Sequence, residues 1–292
     1  MKLSMTNDTN QTNAIIGVYG PPKSGKTFSI ATALPLGEVL HVSAPGEGNA
    51  ASSLREYPIK QVSLETYYDL MALEAALLGK PAGWIGDDSD PPVAKLKTGI
   101  MQADMDALKT FIPATPAVIV LDGLYSLQAD TFGGQSIAHW GKDLGVGRYG
   151  DIADLTRLHL QRFSFISSVK LVIFITQDQQ ITDKSLGGVE STFREMAFEG
   201  RASRKIIPPM CDMVLPIFKG EQLGEQFKPW ECTINGKKEV RDRWFTLQPF
   251  AGYWAGARIG LSSDTSIQAD FTRIWNKFYA KKATKEATKN ER

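Results

Sequence analysis

The sequence predicts an α/β fold with a mostly parallel central sheet and a β-rich C-terminal part. Residues 14–19, 117–122 and 170–176 are short, continuous apolar runs, the pattern of strands buried on both faces. Helix-spaced segments stand between them, which calls for parallel strands joined by helical crossovers. The Asn235-Gly236 pair marks a β-hairpin within residues 228–248. A chain of 292 residues, 42% apolar, suits one elaborated domain with a sizeable core.

The elements follow in chain order. Residues 1–13 are polar and are expected to form a flexible arm. Residues 14–19 form the first strand and 27–34 the helix behind the loop that follows, stopped by Pro35. Residues 38–43 read as a second strand and 59–64 as a short third one. Residues 65–78 place Tyr68, Met71, Ala75 and Leu78 at helical spacing. Residues 80–99 are rich in Pro, Gly and Asp and read as a surface loop, with a helix over 100–112. Residues 117–122 are a central strand ending in Asp122. Residues 132–150 combine repeated glycines with His139, Trp140, Lys142, Arg148 and Tyr149, and read as a mobile loop. An amphipathic helix over 151–168 carries Ile152, Leu155, Leu158, Phe163 and Ile166 on one face. The strand 170–176 leads into a second polar loop over 180–205, then a strand at 213–218. Asp264 or Ser266 is expected to cap a final helix with Ile267, Phe271, Ile274, Trp275 and Phe278 on one face. Trp244, Trp254 and Trp275 are expected in the core. This divides the chain into an arm (1–13), a core domain (14–262), and a C-terminal helix with a charged tail (263–292).

One stretch carries specific chemistry. Gly20-Pro21-Pro22-Lys23-Ser24-Gly25-Lys26-Thr27 fits G-x-x-x-x-G-K-[ST] and lies between the first strand and a helix. Glycines let the backbone curl so that successive N–H groups point inward at phosphate oxygens. Lys26 is placed to reach the β- and γ-phosphates of a nucleoside triphosphate, and the Thr27 hydroxyl to bind Mg²⁺. The nucleotide-binding set is Gly20, Pro21, Pro22, Lys23, Ser24, Gly25, Lys26, Thr27 and Phe28. Asp122 is the second expected nucleotide element. An acid at the C-terminal end of a parallel strand stands where ligands bind in such sheets, so Thr27 and Asp122 are the expected metal residues.

Composition narrows the classes. The net charge of +1 makes the chain no polycation, so contact with nucleic acid must come from local basic patches. The two cysteines, Cys211 and Cys232, have no metal-site spacing and suggest a reducing compartment. No apolar run approaches a membrane span, and the expected location is cytoplasmic. His41, His139 and His159 have no triad or metal spacing, and His41 and His159 read as packing residues.

The order of phosphate loop, Asp-ended strand, long helix, Thr-Gln-ended strand, polar loop and β-rich end resembles the RecA-like P-loop ATPase core. It is similar in particular to the small RecA-like ATP-binding proteins of bacteriophages. The resemblance covers about residues 12–262 and rests on 118–127 and 171–177 besides the phosphate loop. It implies ATP and Mg²⁺ as cofactors. It implies Gln177 as the sensor of the γ-phosphate and Glu47 as the base that polarises the attacking water. Residues 132–150 and 180–205 then correspond to two DNA-binding loops, with Lys142, Arg148, Tyr149, Arg201, Arg204 and Lys205 as contacts. Of Arg241, Arg243 and Arg258 in the β-rich end, Arg258 is the preferred candidate to reach a neighbour's γ-phosphate in a ring or filament.

The expected function is a Mg²⁺-dependent ATPase acting with single-stranded DNA in phage recombination, annealing or replication. It would self-associate as a ring or filament and have no membrane partner. Two other readings stay open. One is an ATP-dependent assembly or partner-regulating protein without DNA contact, and the other a DNA motor (helicase or packaging).

Overall fold

The computed structural model describes residues 13–44, 50–84, 86, 102–133, 147–184, 190–257 and 264–280. The first strand, β1 (Ala14–Gly20), is buried at every position. It is followed by α1 (Lys26–Ser29), β2 (Val39–Ser43), β3 (Lys60–Ser63), α2 (Tyr67–Leu77), α3 (Gln102–Phe111) and β4 (Val118–Asp122). Next come α4 (Leu124–Ser126), α5 (Gly147–Ser164), β5 (Leu171–Lys184), β6 (Glu190–Met196), α6 (Gly200–Ile206) and β7 (Met213–Lys219). The C-terminal part holds α7 (Gly220–Leu223), β8 (Trp230–Ile234), β9 (Lys237–Arg241), β10 (Arg243–Thr246), β11 (Gly256–Ala257), β12 (Ser266–Gln268) and α8 (Phe271–Trp275).

These make an α/β structure around a mostly parallel central sheet with antiparallel additions. The order is β12-β10-β7-β1-β5-β4-β2-β3, with β6 attached to β5 and β11 to β7. The strands β7, β1, β5, β4, β2 and β3 run parallel, whereas β10, β12, β11 and β6 pair antiparallel. β8 and β9 form a separate hairpin turned by Asn235-Gly236, both at positive φ.

Alternation along the strands builds a core on each face. Ile15, Tyr19, Leu40, Val42, Ile119, Leu121, Val172 and Phe174 face α2 and α5. Ile16, Val18, Val118, Val120, Ile173 and Ile175 face Ile30, Ala31 and the C-terminal Phe271 and Ile274. Because both faces are covered, the sequence of these strands has no polar side, as expected of parallel sheets.

Several elements differ from expectation. The helix after the glycine turn has only four α-helical residues and then winds as a 3-10 helix to Leu36, with Pro35 inside it. Gly37, at φ 137° with its N–H on Leu34 O, ends it instead. Residues 180–205 are not an open loop. β5 runs on past the sheet to Lys184 and pairs with β6, from Asp178 opposite Met196 to Lys184 opposite Glu190, and α6 follows. This arm is mostly polar, with Ile181 opposite Phe193 as an isolated apolar pair, so it lacks the alternating apolar signal. Cross-strand pairs such as Arg194 with Asp178 and Thr182 with Thr192 hold it instead. Arg148 and Tyr149 stand on the first turn of α5 rather than in a loop. The final helix is capped by Asp270, whose Oδ1 accepts from Arg273 N at 2.9 Å. Neither Asp264 nor Ser266 caps it, because Ser266–Gln268 pair with β10 as a sheet strand. Trp254 is 43% exposed rather than in the core, and Trp244 and Trp275 are half-buried. The arm, most of 80–99 and 132–146, and the tail 281–292 lie outside the described residues.

A buried polar cluster sits between α2 and α5. His159 Nδ1 bonds Glu74, His159 Nε2 stands 3.1 Å from the Tyr67 hydroxyl, and Arg162 Nη1 donates to Glu74 Oε2 at 3.2 Å. Phe132 stacks on the imidazole with ring centroids 5.2 Å apart. The expectation that His159 packs inside the fold is met, but as a charged-group partner.

Candidate functional site

Parallel pairing brings the ends of three strands to one edge of the sheet. Gly20 stands beside Gln177, and Asp122 beside Ile175. The loop that leaves Gly20 therefore passes over the ends of β5 and β4, where open α/β sheets bind ligands. Three residues of this turn have positive φ, namely Gly20 (152°), Lys23 (62°) and Gly25 (93°). At Gly25 a Cβ would also meet Arg243 Nε at 3.0 Å, so both conformation and space require glycine there.

The side chains of this loop converge. Lys26 Nζ donates to Gly20 O and Pro21 O, both at 2.8 Å, and so its charge lies inside the loop. Ser24 Oγ is buried and has no hydrogen-bond partner among the described residues, an orphaned polar atom in the loop wall. Thr27 Oγ1 donates to Asp122 Oδ2 at 2.7 Å. Asp122 is only 4% exposed, and its Oδ2 also faces His41 Nε2 at 3.1 Å. With the carboxylate as acceptor, His41 carries its hydrogen on Nε2. Gln177 is exposed at the point where β5 leaves the sheet, and its carbonyl accepts from Ala197 N at 2.8 Å.

Two arginines brace the loop from its other side. Arg243 Nε donates to Ser24 O at 2.7 Å. Arg241, 5% exposed, donates from Nη1 to Phe28 O at 2.9 Å and lays its guanidinium 3.9 Å over the Phe28 ring. Glu239 and Tyr57 close this set, with the Tyr57 hydroxyl donating to Glu239 Oε1 at 2.8 Å. Burial, and after it the Glu239 hydrogen bond, pushes the Tyr57 phenol up to about 12, so it stays a neutral donor.

The sequence-derived residues thus fall into three groups. Gly20, Ser24, Gly25, Lys26, Thr27 and Asp122 come together in one place, with Gln177 beside Gly20. Pro22, Lys23 and Phe28 are exposed on the outside of the turn and α1. Arg201, Arg204 and Lys205 lie on α6, beside the β5–β6 arm, with Arg204 bonded to Glu195. The Tyr149 ring lies against the start of α6, in the space a Cβ on Gly200 would need, and the Arg148 guanidinium lies beside Gly133, 5.9 Å from the Tyr149 ring centroid. Glu47, Arg258 and Lys142 lie outside the described residues. Sequence reasoning missed His41, taken as packing, and undervalued Arg243 beside Arg258. An i, i+2 arginine pair at a strand junction was the available signal, but nothing local points it at the loop.

Chemically, the loop could cradle an anion, and the Thr27 and Asp122 oxygens could hold a hard divalent cation. Among the described residues no three His, Cys, Asp or Glu side chains gather as a metal cluster. A cation here would take few protein ligands and keep water or phosphate oxygens, the habit of Mg²⁺. Cys211 and Cys232 are not joined in a disulfide, and no described helix is long and apolar enough to cross a membrane.

No protein-family model matches the chain, and no curated protein matches it in sequence.

Proposed function

We propose that the chain is a Mg²⁺-dependent ATPase with a RecA-like P-loop core, acting with single-stranded DNA in phage recombination, annealing or replication. The observation that carries this reading is the 2.7 Å bond from Thr27 to Asp122, beside Lys26 inside the glycine turn. The strand order also supports it, because β5, which leaves the central sheet at Gln177, runs between the glycine-turn strand β1 and the Asp122 strand β4. The position of Gln177, on the strand between those of the loop and the acid, supports reading it as the sensor.

In this reading Lys26 exchanges its two carbonyl partners for phosphate oxygens, and Ser24 Oγ gains a partner. Thr27 and Asp122 hold Mg²⁺, and His41 keeps the carboxylate oriented. The chemistry supplied by Mg²⁺ is neutralisation of charge on the phosphates. Gln177 senses the γ-phosphate and passes its position to the β5–β6 arm through the backbone it shares with Asp178. Glu47 is the base, and Arg258 acts across a subunit contact in a ring or filament.

A second reading, an ATP-dependent regulator of a protein partner, draws on the arm's internal ion pairs. Arg194 with Asp178 and Arg204 with Glu195 already occupy two of its cations. Phosphate release from ATP, measured with and without single-stranded DNA, tests the proposal. Stimulation by single-stranded DNA supports it. Hydrolysis indifferent to nucleic acid favours the regulator, and stimulation by duplex DNA alone favours a motor. A mass measurement with a non-hydrolysable ATP analogue reads the assembly.

A further inference from the structure

Trp254 is a large aromatic side chain left 43% exposed beside a basic helix. Its ring lies about 3.7 Å from where a Cβ on Gly256 would stand, so one side is backed by main chain. Around it is a cleft of about 420 Å³, whose walls include Pro208, Pro209, Val214 and Gly256 and whose rim is Arg204. That volume is within the range of small-molecule clefts, about 300–1,000 Å³. Arg204 also lines a second cleft of about 580 Å³, between α6 and the β5–β6 arm, with Arg201 and Lys205. The two clefts therefore meet at one arginine.

The charges facing this path are Arg201, Arg204 and Lys205 against Asp183 and Glu195. Glu195 is bonded to Arg204, and among the described residues neither Arg201 nor Lys205 makes an ion pair. A stacking surface that continues into a stripe of exposed cations suits a single strand of nucleic acid, whose bases stack and whose phosphates follow the charges. Neither a buried peptide nor a lipid tail uses both halves.

The position is tied to the nucleotide site. Trp254 N donates to Arg194 O at 3.0 Å, and Arg194 N donates to Gly252 O at 2.7 Å, so the Trp254 turn is stitched to β6. The Tyr19 hydroxyl, one residue before Gly20, donates to Trp254 O. The strand that ends in the phosphate loop thus holds the main chain of the exposed tryptophan.

We infer that Trp254 and the Arg204 rim form a stacking site for one base of a single strand, whose flanking phosphates run over Arg201 and Lys205. This rests on the nucleic-acid half of the proposed function and assigns it a place. The test is fluorescence anisotropy of labelled oligothymidylate of about 16 nucleotides, long enough for a usual single-strand site. It is run on the full chain with a non-hydrolysable ATP analogue. Trp254→Ala is expected to weaken binding by about 5- to 150-fold, while Trp254→Phe keeps most of it. Arg201→Ala with Lys205→Ala is expected to lower the salt slope by about 1.4, for two lost phosphate contacts on a single strand. Oligomer binding should also quench tryptophan fluorescence in the wild type and lose that component in Trp254→Phe, a readout that does not need the alanine variant to fold. Wild-type binding that all these variants share unchanged overturns the site and leaves the proposed function standing. A wild type that binds no oligomer overturns both, and ATP hydrolysis in the same samples then shows whether the nucleotide half survives. Equal competition by free thymidine monophosphate overturns the strand in favour of a mononucleotide pocket.

Discussion

Thr27 and Asp122 are 95 residues apart in the chain, yet the Thr27 hydroxyl donates to Asp122 Oδ2 at 2.7 Å. The contact exists because β1 and β4 flank β5 in parallel and end on the same edge of the sheet. A bond to an ionised acceptor contributes about 1.5–3 kcal/mol.

Removing either partner should therefore disturb stability moderately and the proposed chemistry more. Thr27→Val and Asp122→Asn are each expected to lower Mg²⁺-dependent ATP hydrolysis by at least about 10²-fold, with Lys26→Ala losing a similar factor or more. Phosphate release titrated against Mg²⁺ reads this. Full turnover in Asp122→Asn would place the metal elsewhere.

Arg243 reaches the glycine turn through Ser24 O and packs on Gly25. Arg243→Ala is expected to loosen the loop and weaken ATP binding about tenfold, the equivalent of one hydrogen bond from a charged donor. Arg243→Lys should not restore it, because an ammonium lacks the planar fork. Calorimetric titration with a non-hydrolysable ATP analogue measures both.

Glu74 is fully buried and holds both His159 and Arg162. Glu74→Leu leaves Arg162 without that carboxylate in the interior. The expected loss is about 3–5 kcal/mol of folding stability. Urea unfolding should show a lower midpoint with little change in slope.

Tyr57 carries a pH signature. Its phenol is raised from the usual value of about 10 to about 12, so between those values the folded chain holds a proton that the unfolded chain has released. The contribution is complete below about pH 10 and is lost as pH rises through about 12. Tyr57→Phe should flatten this part of the stability profile, read as the difference in urea midpoint between variant and wild type across that window. A parallel decline in both proteins would contradict the assignment.

Tyr19 links β1 to the Trp254 turn through one hydroxyl. Tyr19→Phe removes that link and the longer 3.3 Å contact of the same hydroxyl with Arg194 O, and buried hydroxyl bonds of this kind contribute about 0.5–1.5 kcal/mol. The expected result is oligothymidylate binding that responds about two- to tenfold less to an ATP analogue. Anisotropy titrations with and without the analogue check it.

Much of the scaffold was legible because it obeys local rules. The strands at β1, β4 and β5 declare themselves by unbroken apolar runs, which two-sided burial demands. The hairpin at Asn235-Gly236 declares itself by its need for positive φ. The β5–β6 arm did not, since a largely polar ladder beyond the core needs no apolar alternation, and its polar residues resemble a loop. The cap at Asp270 was misplaced because Ile267 fits a helix face and a strand equally well over so short a segment. Trp254 was expected in the core on residue type alone, whereas its exposure depends on a turn anchored by Tyr19 and Arg194.

By itself the sequence determined the strand cores, the glycine turn with Lys26 and Thr27, and the acid at the end of β4. Each follows from spacing along a few residues, where conformation and burial act locally. Tertiary structure alone decided that Asp122 meets Thr27 and His41, that Arg241 and Arg243 brace the loop, and that Trp254 stands open beside Arg204. Those relations come from strand order and register, which pair residues far apart in the chain and leave no periodic trace in it.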